Sequence, residues 1–172
     1  MNIQGELQDT ITALVQKGKG ILAADESSPT IAKRFQAIGV TSVVLEHIVL
    51  KPNMMVPGKQ HPQKATAEEV AVQTIKVLRR TVPAAVPSIN FLSGGLSPEV
   101  ATSNLNAMNQ LDSQPWELIF SYGRALQEPA LQAWKGEVTN AASTQSALLQ
   151  RARLNGAARY GEYSAAMESA HS

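Results

Sequence analysis

Residues 42–54, SVVLEHIVLKPNM, decide the fold, because a long apolar run stops sharply at Lys51 and Pro52. Valine, isoleucine and leucine fill most positions before Lys51, and β-branched residues in such a run favour a buried β-strand. Pro52 has no backbone N–H to donate to a sheet, so we expect the strand to end there. Lys51 is thereby predicted to lie where a buried strand opens into a loop.

Strand and helix signals alternate along the chain, which gives about four strand-then-helix units. This alternation is typical of an α/β fold with parallel strands. Thr66 and Glu69 have the spacing of a capping box, and Ser97-Pro98 joins a favoured N-cap residue to a first-turn proline. The predicted strands are 20–25, 42–50, 87–92 and 116–120, and the predicted helices are 6–17, 30–38, 66–80, 129–135, 140–158 and one that begins at Ser97.

The composition is that of a folded chain without a charge signal. The 172 residues carry a net charge of +1, which directs the chain neither to nucleic acid nor to a membrane surface. Cysteine is absent, so the chain has no disulfides and no thiolate metal ligands. Because the N-terminus lacks a signal-peptide pattern and no apolar run approaches the roughly 18 residues of a membrane helix, we expect a cytoplasmic protein.

Trp116 and Trp134 are predicted to be packing residues, and the small-residue tail after Tyr160 is expected to fray.

Residues suited to chemistry cluster where the predicted strands end. Asp25-Glu26-Ser27, Lys51, Ser93-Gly94-Gly95 and Gly123-Arg124 each follow one predicted strand. In parallel α/β folds the carboxyl ends of the strands face the ligand site. We therefore expect these four segments to lie close together.

Lys51 is the candidate nucleophile. Apolar surroundings favour the neutral form of an amine, and a neutral amine can attack a carbonyl carbon to form an imine. The alternative is a lysine that extends from the strand end into solvent, or that pairs with Glu26 or Glu46. Asp25 would serve as a proton acceptor, or it is an ordinary turn or capping residue.

Ser93-Gly94-Gly95 and Gly123-Arg124 are suited to binding a phosphate. Glycines let backbone N–H groups approach an anion, and the helix start after Ser97 adds a favourable dipole. Arg124 can hold two phosphate oxygens with its guanidinium fork. The alternative is a pair of ordinary strand-to-helix turns. The 3 histidines are scattered without the spacing of metal ligands, so we expect no metal and no other cofactor.

Longer motifs occur in order through the chain: GKGILAADES at 18–27, LKPNM at 50–54, FLSGG at 91–95 and FSYGRALQ at 120–127. Together they resemble the class I (Schiff-base) fructose-bisphosphate aldolases. The resemblance covers nearly the whole chain from Gly18 onward. Because the motifs are long and occur jointly, the resemblance favours the imine-forming role of Lys51 over the alternative.

The resemblance implies a lyase of glycolysis that reversibly cleaves fructose 1,6-bisphosphate to dihydroxyacetone phosphate and glyceraldehyde 3-phosphate without a metal. Lys51 would form the imine with the ketose carbonyl. Asp25 would help to position a substrate hydroxyl and to transfer protons. The phosphate next to the carbonyl would be held by Ser93, Gly94, Gly123 and Arg124, and Ser27 and Thr30 would lie toward the second phosphate.

The chain departs from the family pattern in its length. The family fold is a complete eightfold βα (TIM) barrel, for which about 250 residues is typical. The expectation here is an α/β partial TIM barrel of about four βα units in one aldolase-like domain spanning 1–172. Residues 1–41 resemble the first unit, residues 42–160 resemble the sixth to eighth units, and 161–172 form a tail. The second to fifth strands, with the family's acid and base glutamates, have no counterpart.

Three hypotheses for the function follow from this departure. The chain retains imine chemistry, with activity impaired by the missing strands; it is a non-catalytic half-barrel that self-associates or binds full-length aldolase; or it is a shortened product without a function of its own. A half-barrel exposes two sheet edges, so we expect a homo-oligomer. The expected ligand is a sugar bisphosphate, with neither nucleic acid nor a membrane as a partner.

Overall fold

The computed structural model of the protein describes residues 9, 12–13, 49–58 and 60–169. In this part of the chain, three strands alternate with three helices, and a 3₁₀ segment, a fourth helix and a second 3₁₀ segment follow. The predicted strand 20–25, the predicted helix 30–38 and residues 42–48 of the next strand lie outside the described residues. The elements are β1 (Val49–Leu50), α1 (Ala67–Thr81), β2 (Ser88–Phe91), α2 (Pro98–Asn109), β3 (Glu117–Phe120), α3 (Arg124–Trp134), a 3₁₀ segment (Val138–Asn140), α4 (Ala141–Ala158) and a second 3₁₀ segment (Ala165–Glu168).

The three strands form one parallel sheet in the order β1-β2-β3. Leu50 lies opposite Ile89 in the register, and Phe91 lies opposite Phe120. The strands therefore end at nearly the same level, and the loops that follow them leave the same edge of the sheet. This arrangement confirms the predicted α/β class with parallel strands.

One face of the sheet packs against the helices. Successive side chains of a strand point to opposite faces, so Ile89 and Phe91 share one face of β2 while Ser88 and Asn90 share the other. Ile89 and Phe91 belong to the hydrophobic core and are 0% exposed. Full burial of each such side chain stabilises the fold by roughly 1.5–3 kcal/mol. The helices contribute to the same core through Val70, Ile75, Leu78, Leu105, Met108, Leu126 and Leu154.

Local capping fixes the starts of α1 and α2 as the sequence predicts. The Thr66 hydroxyl accepts the backbone N–H of Glu69 at 3.2 Å, and the Glu69 carboxylate accepts the N–H of Thr66 at 2.8 Å. Ser97 caps α2 by accepting the N–H of Val100 at 3.3 Å, and Pro98 occupies the first turn. Each cap satisfies backbone donors that the helix itself leaves without partners.

Helix α3 begins earlier than predicted. It starts at Arg124, not near Pro129, and Pro129 lies inside it. A proline there removes one backbone hydrogen bond, the one that an N–H at position 129 would donate to the carbonyl oxygen of Ala125. The packing role predicted for Trp134 is also wrong, because this side chain is 43% exposed at the end of α3. Trp116 is buried as predicted, and its indole N–H donates to the carbonyl oxygen of Pro83 at 2.9 Å.

The segment from Gly161 to Ser169 is docked on the helices, so the prediction that the tail frays is wrong for these residues. The backbone N–H of Tyr163 donates to Asn106 Oδ1 at 2.9 Å, and the Tyr163 hydroxyl donates to Glu168 Oε1 at 2.8 Å. Glu168 Oε2 in turn lies 2.5 Å from Nη1 of the buried Arg151. The bonds to Asn106 and Arg151 join residues distant in sequence, and they hold the segment against α2 and α4.

Tyr163 gives this docking a pH dependence. Burial and the hydrogen bond to Glu168 raise the pKa of Tyr163 from 10.0 to about 12. The fold thus favours the neutral phenol, so this stabilisation is fully present below pH 10 and is lost as the pH rises toward 12. Tyr163→Phe has no phenol to ionise, so we expect its free energy of unfolding to lack this loss. The free energies of unfolding of the wild type and the variant should therefore approach each other as the pH rises from 10 to 12. Urea unfolding across it measures the difference, and a constant difference contradicts the prediction.

Candidate functional site

The loops after the three strands begin side by side. Beyond the end of β2, the N–H of Leu92 donates to the carbonyl oxygen of Pro52 at 3.0 Å. Beyond β3, the N–H of Ser121 donates to the carbonyl oxygen of Phe91 at 2.8 Å. The sheet-like pairing therefore extends into the loops, and it brings the segments that carry Lys51, Ser93-Gly94-Gly95 and Gly123-Arg124 to one edge.

The loop after β2 is built around two glycines with positive φ. Gly94 has a φ of 58° and Gly95 a φ of 83°, a region in which residues with a Cβ are strained. Ser93 is buried, and its carbonyl oxygen accepts the N–H of Leu96 at 2.9 Å to close the turn. Both glycines are exposed, so a ligand can reach their backbone.

The loop that carries Lys51 touches this turn through Asn53. A Cβ placed on Gly94 would lie 2.9 Å from Asn53 Cγ, closer than such atoms approach in proteins, so a side chain at position 94 would displace the Asn53 carboxamide. Asn53 Oδ1 also accepts the backbone N–H of Met54 at 2.9 Å. The absence of a side chain at Gly94 thus lets the two loops lie in direct contact.

Arg124 reaches the same turn from the loop after β3. Its Nη1 lies 3.9 Å from the position of a Cβ on Gly95, and its side chain is exposed. Gly123 is the N-cap of α3 but provides no side chain to accept the first N–H groups, and the first turn contains no acidic residue. No side chain therefore caps these N–H groups, and no carboxylate in the first turn repels an anion. Such a helix start, next to a guanidinium and a glycine turn, suits an anion.

Tyr122 fixes the loop that precedes Arg124. Its side chain is fully buried, and its hydroxyl donates to the carbonyl oxygen of Ala101 in α2 at 2.8 Å. Burial raises the pKa of this phenol, which keeps it a hydrogen-bond donor. The contact ties the loop after β3 to the helix that follows the glycine turn.

The prediction that apolar surroundings cover Lys51 is wrong for the described residues, because its side chain is exposed. Leu50 packs against the core, so strand alternation directs Lys51 to the face of the sheet away from the helices. The strand is also less buried than predicted, with Val49 39% exposed. Within the described residues β1 pairs with β2 alone, which explains why this end of the sheet is more open than the pattern predicted.

The described residues therefore bring together Lys51, Ser93, Gly94, Gly123 and Arg124 at one edge of the sheet. Asp25, Ser27 and Thr30 lie outside the described residues.

Two further residues near the site were not predicted from the sequence. Asn53 was missed, although it belongs to the LKPNM motif. Asn90 was also missed: it is 0% exposed on the polar face of β2, where its Nδ2 donates to Ser88 Oγ at 2.8 Å. Polar residues at alternate positions of an apolar strand were the available signal.

Among the described residues, no helix is both long enough and apolar enough to cross a bilayer.

Comparisons with known proteins identify the family of the chain. The family model for "Fructose-bisphosphate aldolase class-I" matches residues 6–43 and 40–172. Fructose-bisphosphate aldolase B of Sparus aurata is 52% identical over 134 residues, which is 77% of this chain and 37% of the relative. The cytoplasmic isozyme of Cicer arietinum is 50% identical over the same shares.

A solved structure gives the same result in three dimensions. The fructose-bisphosphate aldolase of Plasmodium falciparum, solved in a ternary complex with TRAP and a small-molecule inhibitor, superposes with a TM-score of 0.70 at 36% identity. The match covers 95% of this chain and 53% of that chain. The chain thus spans well under two thirds of the relatives that it matches. Within that span the family model accounts for nearly every residue, and the chain belongs to the class I fructose-bisphosphate aldolase family.

Proposed function

We propose that this chain binds a phosphorylated ketose and forms an imine between Lys51 and the ketose carbonyl. The full reaction in view is the reversible cleavage of fructose 1,6-bisphosphate to dihydroxyacetone phosphate and glyceraldehyde 3-phosphate. The observation that carries the proposal is the contact of three loops at one sheet edge, with Lys51 on one, a glycine turn on the next and Arg124 on the third. The 52% identity to an aldolase supports it.

The chemistry assigns a separate task to each loop. The amine nitrogen of Lys51 attacks the carbonyl carbon, and the resulting carbinolamine loses water to give the imine. Ser93, Gly94, Gly123 and Arg124 hold the phosphate next to the carbonyl, where the guanidinium offsets its charge. Because an amine and a carbonyl suffice for this step, the proposal requires neither a metal nor an organic cofactor.

The remaining roles come from the family resemblance. Asp25 is proposed to position a substrate hydroxyl and to transfer protons, and Ser27 and Thr30 are proposed to lie toward the second phosphate. The strands that carry the family's acid and base glutamates have no counterpart in the sequence. General acid–base catalysis contributes typically about 10²–10⁴-fold per group, so we expect imine formation to persist while carbon–carbon cleavage is slow.

The organisation of the chain is part of the same proposal. We infer a partial βα barrel in one domain, in which a first unit (1–41) joins directly to units six to eight (42–160), followed by the tail 161–172. The two segments matched by the family model overlap at residues 40–43, which supports a junction there. Exposed Leu131, Trp134 and Val138 suit a homo-oligomer, and the cytoplasmic relative supports a cytoplasmic location.

The test is reductive trapping of the imine. Purified protein is incubated with dihydroxyacetone phosphate and sodium borohydride, which delivers hydride to the imine carbon and leaves a stable secondary amine on the lysine. We expect one adduct, on the peptide that contains Lys51. Peptides containing Lys64, Lys76 and Lys135 are controls in the same digest, because these exposed lysines lie elsewhere on the chain. Equal labelling of all the lysines, or no label on Lys51, contradicts the proposal.

A further inference from the structure

The segment that follows Lys51 is fixed by hydrogen bonds to other elements at Pro52 and Met55, with one more hydrogen bond inside the segment. The carbonyl oxygen of Pro52 accepts the N–H of Leu92 at 3.0 Å. Asn53 Oδ1 accepts the N–H of Met54 at 2.9 Å. The N–H of Met55 donates to Thr74 Oγ1 in α1 at 3.0 Å. The loop therefore has a defined position relative to β2 and α1.

Asn53 is the member of this segment that meets the glycine turn. A Cβ on Gly94 would lie 2.9 Å from its Cγ, so the carboxamide occupies the space that any other residue at position 94 would fill. Met54, the next residue, is 3% exposed and belongs to the hydrophobic core. Asn53 is thus held on its own loop by a core residue while its exposed side chain lies against Gly94.

This contact bears on the spacing that the proposed chemistry needs. In dihydroxyacetone phosphate only a methylene group and an ester oxygen separate the carbonyl carbon from the phosphorus. An amine that attacks the carbonyl while the phosphate is bound must therefore lie at a fixed separation from the phosphate-binding turn. A misplacement of 1 Å can cost about 10²-fold in rate, so the contact between the loops is a sensitive point.

We propose that Asn53 is the positioning residue that sets the separation between the Lys51 amine and the phosphate-binding turn. It thereby selects ketoses that carry a phosphate ester on the carbon next to the carbonyl. The inference rests on the proposed function of Lys51. Asn53 acts through the two loops and does not itself contact the reacting atoms. Its removal should weaken the advantage of a phosphorylated ketone over an unphosphorylated one, because only the former uses both loops at once.

The first experiment tests the contact without any chemistry. Gly95→Ala and Gly136→Ala place a Cβ at positive φ, at 83° and 81°, without a close neighbour, so they report backbone strain alone. We expect each to lower the Tm by about 4 °C, and Gly94→Ala to lower it by about 2 °C more, because the new Cβ displaces the Asn53 carboxamide from its hydrogen bond to Met54. In an Asn53→Gly background, the loss caused by Gly94→Ala should fall to that of Gly95→Ala. An equal loss in both backgrounds overturns the contact on which the proposal stands.

The second experiment measures selectivity. Borohydride trapping on Lys51 is compared for dihydroxyacetone phosphate and unphosphorylated dihydroxyacetone, in the wild type and in Asn53→Ala. We expect the rate with the phosphorylated ketone to fall about tenfold, and the rate with dihydroxyacetone to stay within about twofold. A merely structural role lowers both rates together, and that result, or no change in either rate, overturns the inference. Absence of any adduct in the wild type instead removes the proposed function, so the two failures are distinguishable.

Discussion

Replacing Glu168 with alanine is expected to lower the free energy of unfolding by about 3 kcal/mol, because it removes the carboxylate from a buried arginine. The Arg151 side chain is 4% exposed, and its Nη1 lies 2.5 Å from Glu168 Oε2. Its Nη2 donates to the carbonyl oxygen of Pro98 at 3.1 Å and to Thr102 Oγ1 at 2.5 Å. Without Glu168 the cation keeps these neutral partners but loses its counter-charge. We place the effect at the lower end of the range of roughly 3–5 kcal/mol for breaking a buried pair, because the Glu168 side chain is 24% exposed.

Two variants make this prediction specific. Glu162→Ala is the matched control, because Glu162 is an exposed glutamate in the same segment, and it should change the stability by less than about 0.5 kcal/mol. The double variant Arg151→Met with Glu168→Ala removes both charges, so it should be more stable than Glu168→Ala alone. Urea unfolding gives all three values. A double variant that is less stable than Glu168→Ala would show that Arg151 without its counter-charge does not destabilise the fold, and it would contradict the prediction.

Local features of the fold could be predicted from the sequence because their causes lie within a few residues. The capping box of Thr66 and Glu69 needs only the side chains and backbone of one turn. The parallel sheet follows from the alternation of strands and helices, and the sheet then brings the strand ends to one edge. The position of Arg124 near the glycine turn could therefore be expected before its distance was known.

The features that could not be predicted depend on contacts between distant residues. Tyr163 is held by Asn106, and Glu168 by Arg151, so composition alone made this segment resemble a fraying tail. The exposure of Lys51 depends on what covers the end of β1, which an apolar pattern does not specify. The approach of Asn53 to Gly94 is likewise a meeting of two loops that no local pattern encodes.

Replacing Arg124 with alanine is expected to raise the half-saturating concentration of dihydroxyacetone phosphate in the trapping reaction about 30-fold. Hydrogen bonds to a charged group contribute about 1.5–3 kcal/mol, and each 1.4 kcal/mol corresponds to about tenfold in affinity. The Arg124 side chain makes no ion pair among the described residues, so its charge is available to a phosphate. Trapping of unphosphorylated dihydroxyacetone should be unchanged, because that ketone carries no anionic group for the guanidinium to bind.

The stability of the same variant distinguishes a binding role from a structural one. Arg124 is the first residue of α3, where a cation is unfavourable because the helix dipole is positive at this end. Alanine should therefore leave the Tm unchanged or raise it slightly while phosphate recognition is lost. Arg124→Lys keeps the charge without the two-pronged fork and should fall between the two. Arg153→Ala removes an exposed arginine from α4, and it should alter neither trapping nor Tm. If Arg124→Ala lowers the Tm and weakens trapping of both ketones equally, then Arg124 supports the fold and does not bind the phosphate.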